Sequence, residues 1–437
     1  MRSIVISGKP EFLENAEATI GADAKPLFDL DSTYDLKTDL APHIAKADGY
    51  VILPGADPLL TNSLLIDYQF QAPAVRGKPL VIYSPDDAPS PYVGLVRTLR
   101  ERGFVHQPEE QFYTIAKTVE EIPQRLNEGY GVPSGPKIEG HEDDPEYLHL
   151  VDEINAEGAS KTKPKYNVAV FTSASTKDPD MLKLARDTGR LLADNGYGMV
   201  FGGSNVSMMG QVAAGVHDRG GYVTGVTTAL FFGKELQVAQ RDDINIDNLR
   251  IADDIYDRMH DMIHQADALV VLPGGIGTAQ EMLAVMHMRD NEPELQGRPV
   301  IIYNEDGFWD DLQAILESYG YKAGEHFHVV DNQADLDTTL EQTVGRDTGP
   351  AAGPSADMPL IMGDAEPRVS DWRRRRRAEP RREQPGERLA SGPDQVQQDR
   401  SDTKRRLGNG PDRETRRNQR RNPAQKPDQK PGLGGGS

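Results

Sequence analysis

The stretch that decides the fold is Ala-Asp-Ala-Leu-Val-Val-Leu-Pro-Gly-Gly-Ile-Gly-Thr-Ala-Gln-Glu, residues 266 to 281. Its Val-rich apolar run, residues 269 to 272, predicts a buried parallel strand. Three glycines then allow a tight turn that a ligand can approach closely: Gly274, Gly275 and Gly277. Thr278 can cap the helix that follows, with Glu281 three residues on as in a capping box. Because amides at a helix start attract anions, the stretch predicts a phosphate-binding turn.

Two motifs and one arginine resemble a known family. Residues 273 to 281, Pro-Gly-Gly-Ile-Gly-Thr-Ala-Gln-Glu, match the PGGxGTxxE signature of the LOG family of cytokinin riboside 5′-monophosphate phosphoribohydrolases and related nucleotide nucleosidases. Arg258 stands fifteen residues before Pro273, where the family carries its catalytic arginine. Residues 202 to 210, Gly-Gly-Ser-Asn-Val-Ser-Met-Met-Gly, resemble the family's GGGxxGLMG. The resemblance covers roughly residues 166 to 340.

The resemblance implies an activity and a set of site residues. It implies hydrolysis of a nucleoside 5′-monophosphate to free base and ribose 5-phosphate, without metal or cofactor. It makes Arg258 and Glu281 the catalytic residues, although by themselves Arg258 fits a solvated helix charge and Glu281 a helix cap. A nearby carboxylate would stabilise the oxocarbenium character that develops on the ribose. The expected nucleotide- and phosphate-binding residues are Gly274, Gly275, Gly277, Thr278, Gly202, Gly203, Ser204 and Ser173.

The chain departs from the family at several positions. Ser204 and Ser207 replace family glycines, Met259 replaces the lysine that follows the arginine in plant members, and His287-Met288 replaces their Thr-Trp. The resemblance therefore does not specify the base. A nucleotide-binding sensor module and a scaffold acting through the C-terminal tail stay open as alternatives. Some LOG-like proteins carry a lysine decarboxylase label, but no motif for a pyridoxal Schiff base is evident.

Composition limits the classes of function. The 437 residues contain no cysteine, which excludes disulfides, thiolate metal sites and cysteine nucleophiles. Residues 364 to 437 hold 20 Lys and Arg against 12 Asp and Glu, a net charge of +8. Because the whole chain carries a formal charge of −20, the other residues carry −28. Such an acidic body repels nucleic acid and favours small ligands. With no signal-peptide pattern and no membrane-spanning apolar run, we expect a cytoplasmic protein without membrane contact.

An internal repeat divides the chain. Residues 47 to 55 align with residues 266 to 274 at an offset of 219, and residues 77 to 83 align with residues 297 to 303 at 220. The predicted phosphate-binding turn at residues 274 to 278 is named the cradle. The first copy has lost it, because Ala56, Pro58, Leu59 and Asn62 stand where the second copy has Gly275, Gly277, Thr278 and Glu281. Strands that alternate with helices predict a doubly wound parallel α/β sheet, the Rossmann-like LOG domain, preceded by a smaller degenerate copy.

The predicted segments are a degenerate domain at 1–130, a linker at 131–165 with a short helix from Pro145 to Ala156, the catalytic domain at 166–345 and a disordered basic tail at 346–437. We expect the first domain to pack against the second, and the catalytic domains to form a homo-oligomer, a dimer or larger. The tail's interleaved acidic residues favour a solvated linker over nucleic-acid contact.

Residues 260 to 264, His-Asp-Met-Ile-His, imitate the HExxH zinc motif. Asp is shorter than the motif's Glu, and the sequence reveals no third ligand. The stretch therefore predicts an ordinary helix surface and no metal site.

Overall fold

The computed structural model describes residues 3–26, 40–70, 74–87, 89–128, 145–228 and 245–345. The predicted tail at 346–437 and the first part of the predicted linker lie outside these residues. Within them, no helix is both long enough and apolar enough to cross a membrane.

The first half of the chain forms a five-stranded parallel sheet with the strand order β2-β1-β3-β4-β5. The central strands Ile4–Ser7 and Gly49–Ile52 contain β-branched residues and are buried along their whole length. The elements are β1 (Ile4–Ser7), α1 (Pro10–Ile20), β2 (Ala24–Pro26), α2 (Ala41–Lys46), β3 (Gly49–Ile52), α3 (Pro58–Phe70), β4 (Leu80–Tyr83), α4 (Pro91–Glu101), β5 (Thr114–Ala116) and α5 (Ile122–Glu128).

The second half forms a seven-stranded parallel sheet with the order β12-β11-β10-β6-β7-β8-β9. Its elements are α6 (Pro145–Gly158), β6 (Asn167–Phe171), α7 (Pro179–Asp194), β7 (Gly198–Phe201), α8 (Ser207–Asp218), β8 (Val223–Thr228), β9 (Asn248–Ala252), α9 (Ile255–His264), β10 (Ala268–Val271), α10 (Ile276–Asn291), β11 (Val300–Tyr303), α11 (Asp310–Ser318), β12 (His328–Val330) and α12 (Gln333–Thr343). The strand order reverses between β6 and β10. In a doubly wound sheet, ligands bind at the carboxyl ends of the strands at this reversal.

The predicted doubly wound parallel fold is confirmed, with two errors in its elements. Strands β2 and β9, each at one edge of its sheet, were not predicted. The apolar spacing of residues 251 to 265 predicts a helix from Ile251 to Gln265. The helix begins only at Ile255, because Asp254 caps it by accepting hydrogen bonds from the amides of Tyr256 and Asp257, both at 2.9 Å. Ile251 and Ala252, the first two residues of the expected helix, belong to β9. The helix expected from Pro145 to Ala156 is present as α6, whose Asn155 exchanges two hydrogen bonds with the backbone of Leu249 in β9.

The two sheets share a strand order. β5-β4-β3-β1-β2 of the first sheet corresponds to β12-β11-β10-β6-β7 of the second, which is the relation an internal repeat predicts. Whether the first is a degenerate copy of a LOG domain, and where the predicted segments divide, stay predictions.

Corresponding helices of the two halves pack against each other, α3 on α10 and α4 on α11. Residues 59–65 of α3 and 282–286 of α10 are all buried, so neither helix leaves a solvated face along these stretches. A helix buried all round must be covered on both sides, here by its own sheet and by the other helix. The predicted packing of the first half against the second is therefore observed.

Polar side chains fix the register of this interface. Asn62 Nδ2 donates to the carbonyl of Ile276 at 3.1 Å, and Gln280 Nε2 donates to Ser63 Oγ at 3.0 Å. At the other helix pair, Thr98 Oγ1 donates to Asp311 Oδ2 at 2.6 Å. Each bond joins the two halves of the chain, so the interface has specific partners as well as apolar contact.

Candidate functional site

The predicted phosphate turn follows β10 directly, but its helix starts differently from the expectation. α10 begins at Ile276 with Gly275 as its N-cap, so Thr278 is the third helical residue and the predicted Thr278 cap and capping box are wrong. Glycine has no side chain to bond the first amides of the helix. These amides, which come before the first intrahelical bond, from Ala279 to the Gly275 carbonyl, point toward the carboxyl edge of the sheet.

Of the three glycines of the turn, packing requires only Gly274. Gly274, Gly275 and Gly277 are absent from the glycines with positive φ, so the backbone conformation alone would admit other residues. A Cβ on Gly274 would lie 2.6 Å from Cβ of Thr278, a distance no pair of carbon atoms tolerates. A Cβ on Gly275 would meet only the carbonyl oxygen of Phe104, at 3.4 Å. Gly274 therefore lets the turn close on Thr278, whereas Gly275 borders open space.

This difference makes a matched pair of variants informative. We expect Gly274→Ala to lower the melting temperature by several degrees, because the turn must open to remove the overlap with Thr278. Gly275→Ala should leave the melting temperature within about 1 °C and weaken phosphate-ligand binding at least tenfold, because its methyl group occupies the cradle. Thermal denaturation and calorimetric titration with a nucleoside monophosphate check both. Unchanged affinity in Gly275→Ala would place the ligand elsewhere.

The end of β6 is tied to the cradle. Thr172 Oγ1 donates to the carbonyl of Pro273 at 3.0 Å, which joins the two strands at the reversal of strand order. The hydroxyl of Ser173, a predicted site residue, accepts from the amides of Ser175 at 3.0 Å and Thr176 at 3.3 Å. Ser173 thus shapes the loop after β6, and its backbone carbonyl also accepts from the Met209 amide of α8.

Arg258 is buried and fixed by backbone oxygens. Its Nε donates to the Val226 carbonyl at 3.0 Å and its Nη2 donates to the Gly202 carbonyl at 2.8 Å. A Cβ on Gly202 would lie 3.0 Å from the guanidinium carbon, so glycine is required for this approach. The structure therefore brings Arg258 together with the Gly202 loop at the ends of β7 and β8. A fixed, buried cation there favours an anionic ligand.

The loop after β7 has the shape that the family glycines indicate. Gly203 adopts φ 74° and Ser207 adopts φ 52°, both in the left-handed region. Ser207 stands at a family glycine position, and its hydroxyl donates to the Thr176 carbonyl at 2.7 Å, which helps to offset the conformational strain. Ser204, the other replaced glycine, is fully buried and accepts from the Val206 amide at 3.3 Å.

Glu281 lies on α10 three residues after Thr278, so the two residues share a face of the helix. Its side chain is half-buried. The roles of the predicted catalytic and binding residues stay predictions.

Sequence reasoning missed several residues around the cradle. Ile66 of α3 lies 3.4 Å from the position of a Cβ on Gly277, and the Phe104 carbonyl borders Gly275. Both come from the first half of the chain. Thr227 Oγ1 in β8 is buried beside Gly203 and has no hydrogen-bond partner among the described residues. A buried hydroxyl without a partner costs free energy unless a ligand or water supplies one, so Thr227 is a further candidate binding residue.

Asp67, next to Ile66, adds a pH-dependent charge to this region. Desolvation raises the pKa of Asp67 to about 7, and its negative charge helps to raise the pKa of Tyr256 in α9. Since the folded state holds the proton up to a higher pH than the unfolded chain does, this group makes the protein less stable as pH rises from about 4 to 7.

We therefore expect Asp67→Asn to be more stable than the wild type above pH 7, by up to about 4 kcal/mol at ~1.4 kcal/mol per pKa unit, and to match it near pH 4. Denaturant unfolding at several pH values measures the difference. Asp86→Asn, at a side chain that is 94% exposed, is the control and should change little. Parallel pH curves for wild type and Asp67→Asn would contradict the assignment.

Comparison with known proteins finds one family model and several relatives. The family model described as "Possible lysine decarboxylase" matches residues 209–340. A cytokinin riboside 5′-monophosphate phosphoribohydrolase from Mycobacterium tuberculosis is 33% identical over 176 residues, which are 39% of this chain and 90% of that protein. An Arabidopsis thaliana protein of the same name is 29% identical over 38% of this chain and 74% of its own length.

Among solved structures, the molybdenum cofactor carrier protein of Chlamydomonas reinhardtii aligns with a TM-score of 0.30 and 19% identity, over 41% of this chain and 97% of that one. That alignment is too weak to bear on function. The match to the M. tuberculosis protein, by contrast, spans 90% of that relative at 33% identity. The chain belongs to the LOG family, whose named members are cytokinin riboside 5′-monophosphate phosphoribohydrolases.

Proposed function

We propose that this chain hydrolyses the N-glycosidic bond of a nucleoside 5′-monophosphate, giving free base and ribose 5-phosphate. The observation that carries the proposal is the buried cation Arg258 at the same sheet edge as the α10 amides, with Glu281 on the helix of the cradle. The names of the relatives supply the reaction class. The orphan Thr227 hydroxyl beside Gly203 supports a polar ligand at this edge.

In the proposed reaction the bond between ribose C1′ and the base nitrogen breaks, and the oxygen of water bonds to C1′. The first-turn amides and the Thr278 hydroxyl bind the phosphate. The carboxylate of Glu281 stabilises the oxocarbenium-like charge and takes a proton from the attacking water. The leaving base gains one proton in exchange. Arg258, held by two carbonyls, binds an anionic part of the nucleotide without reorganising during the reaction.

The experiment is a chromatographic screen of the full chain for free base released from a panel of purine and pyrimidine 5′-monophosphates, including one N6-substituted adenosine monophosphate. The matching nucleosides without phosphate are the controls. Because the cradle binds phosphate, we expect them to react at least a hundredfold more slowly. If no monophosphate in the panel released free base, the proposed hydrolysis would be contradicted.

The alternative of a non-catalytic nucleotide sensor is favoured by one observation, the serines that replace glycines in the loop after β7. Calorimetric titration with the same panel decides between the two. Binding of a nucleotide without release of free base would support the sensor, and release of free base would exclude it. The absence of both would contradict both functions.

A further inference from the structure

The second candidate site lies at the amino ends of the strands of the second sheet, where α9 ends. His260 and His264 are one turn apart on α9, and their rings stack with centroids 3.9 Å apart. Glu292 follows the last residue of α10, and its Oε2 lies 2.7 Å from His264 Nε2. The sequence does not reveal this carboxylate, because Glu292 stands 28 positions after His264 along the chain. It is the third ligand that the His-Asp-Met-Ile-His stretch lacks.

The donor atoms are grouped closely enough for one ion. One ligand atom from each of His260, His264 and Glu292 lies within 4.8 Å of the others. Zinc binds imidazole nitrogen and carboxylate oxygen at about 2.0–2.2 Å, so ligand atoms around it lie roughly 3–3.5 Å apart. Small rotations of these side chains would move His264 and Glu292 apart from their 2.7 Å contact and bring His260 closer to both. Imidazole and carboxylate together suit Zn²⁺ and neighbouring divalent transition metals.

Backbone contacts orient His264 and hold the end of its helix. His264 Nδ1 lies 3.0 Å from the His260 carbonyl, to which it donates, so Nε2 is the ring nitrogen that faces Glu292 and is available to a metal. Arg298 Nη1 donates to the carbonyls of Ile263 at 2.7 Å and Ala266 at 2.6 Å, which holds the end of α9 in place. A second bond to the other nitrogen of a ligating histidine is what metal sites use to fix tautomer and ring orientation.

We propose that His260, His264 and Glu292 form a binding site for a divalent transition metal of the Zn²⁺ type, with water completing the coordination. The site is separate from the cradle, because His264 comes before β10 whereas the cradle follows it, at opposite ends of the strand. The bound ion joins the carboxyl ends of α9 and α10, the helices that carry Arg258 and Glu281. It acts as a clip between these helices and takes no part in the hydrolysis.

The test uses the full chain without a histidine tag, freed of metal by a chelator and titrated with Zn²⁺ against a chromophoric competitor. We expect one tight equivalent per chain, and at least a thirtyfold loss of affinity in both His264→Ala and Glu292→Gln. His217→Ala, at an exposed histidine of α8, is the matched control and should bind as the wild type does. Zn²⁺ should also raise the melting temperature of the wild type and control by several degrees, and that of neither ligand variant.

Glu292→Gln keeps the shape of the side chain, so the proposal can be tested even if His264→Ala fails to fold. Wild-type affinity in Glu292→Gln, or no tight equivalent in the wild type, would overturn the site. Neither readout depends on catalysis, so the result stands apart from that of the proposed hydrolysis.

Discussion

Glu281→Gln is expected to reduce base release at least a hundredfold while nucleotide still binds. The amide matches the carboxylate in size but carries no charge, so the charge developing on the ribose loses its stabilising partner. Binding energy from the phosphate cradle is unaffected, because the first-turn amides and Thr278 remain. The effect should therefore fall on kcat and leave the dissociation constant within about threefold.

Single-turnover measurement of free base and calorimetric titration of the nucleotide separate these two quantities. Glu317→Gln, at an exposed residue of α11, removes one negative charge from the same domain and serves as the control. It should turn over as the wild type does. Near-normal turnover in Glu281→Gln would remove Glu281 from the mechanism.

The second large effect is expected when the first half of the chain is removed. A fragment of residues 145 to 345, which keeps α6 on β9, should lose most of its activity and should dimerise or precipitate. Removal of α3 uncovers α10, in which residues 282 to 286 form a continuous apolar stretch. It also takes away Ile66 and Phe104, which border the glycines of the cradle. Exposed apolar area of this kind drives association.

The helix pairing suggests how the fragment would associate. In a symmetric dimer the same surface is used on both subunits, so equivalent helices meet. Here α3 meets its counterpart α10 and α4 meets α11, as in such a dimer but within one chain. We propose that the first half takes the place of a partner subunit. The homo-oligomer predicted from the family resemblance would then form through another surface.

Light scattering coupled to chromatography, with the release assay, tests the fragment. Residues 1 to 128 added as a separate chain should restore a smaller species and part of the activity. A fragment that is monomeric and as active as the full chain would show that the first half is an independent appendage.

The sequence by itself determined most of the second sheet and the position of the cradle. Short apolar runs such as residues 269 to 272 indicated the central strands, because a strand buried on both faces must be apolar along its length. The cradle was equally readable, since its glycines, Thr278 and Glu281 lie within nine residues of one another. The spacing of residues along the chain is enough to predict a site when all of its residues lie on one turn.

Tertiary structure decided what depends on contacts between distant residues. The edge strands β2 and β9 pair on one side only and carry a weaker apolar pattern, so the sequence concealed them. Sequence placed the helix cap at Thr278, but the helix is capped three residues earlier, at Gly275, because the turn closes with Gly274 against Thr278. Only packing brings Ile66 and Phe104 to the cradle and Glu292 to the two histidines. These residues meet because two helices end or cross at the same place, and no periodicity along the chain records that.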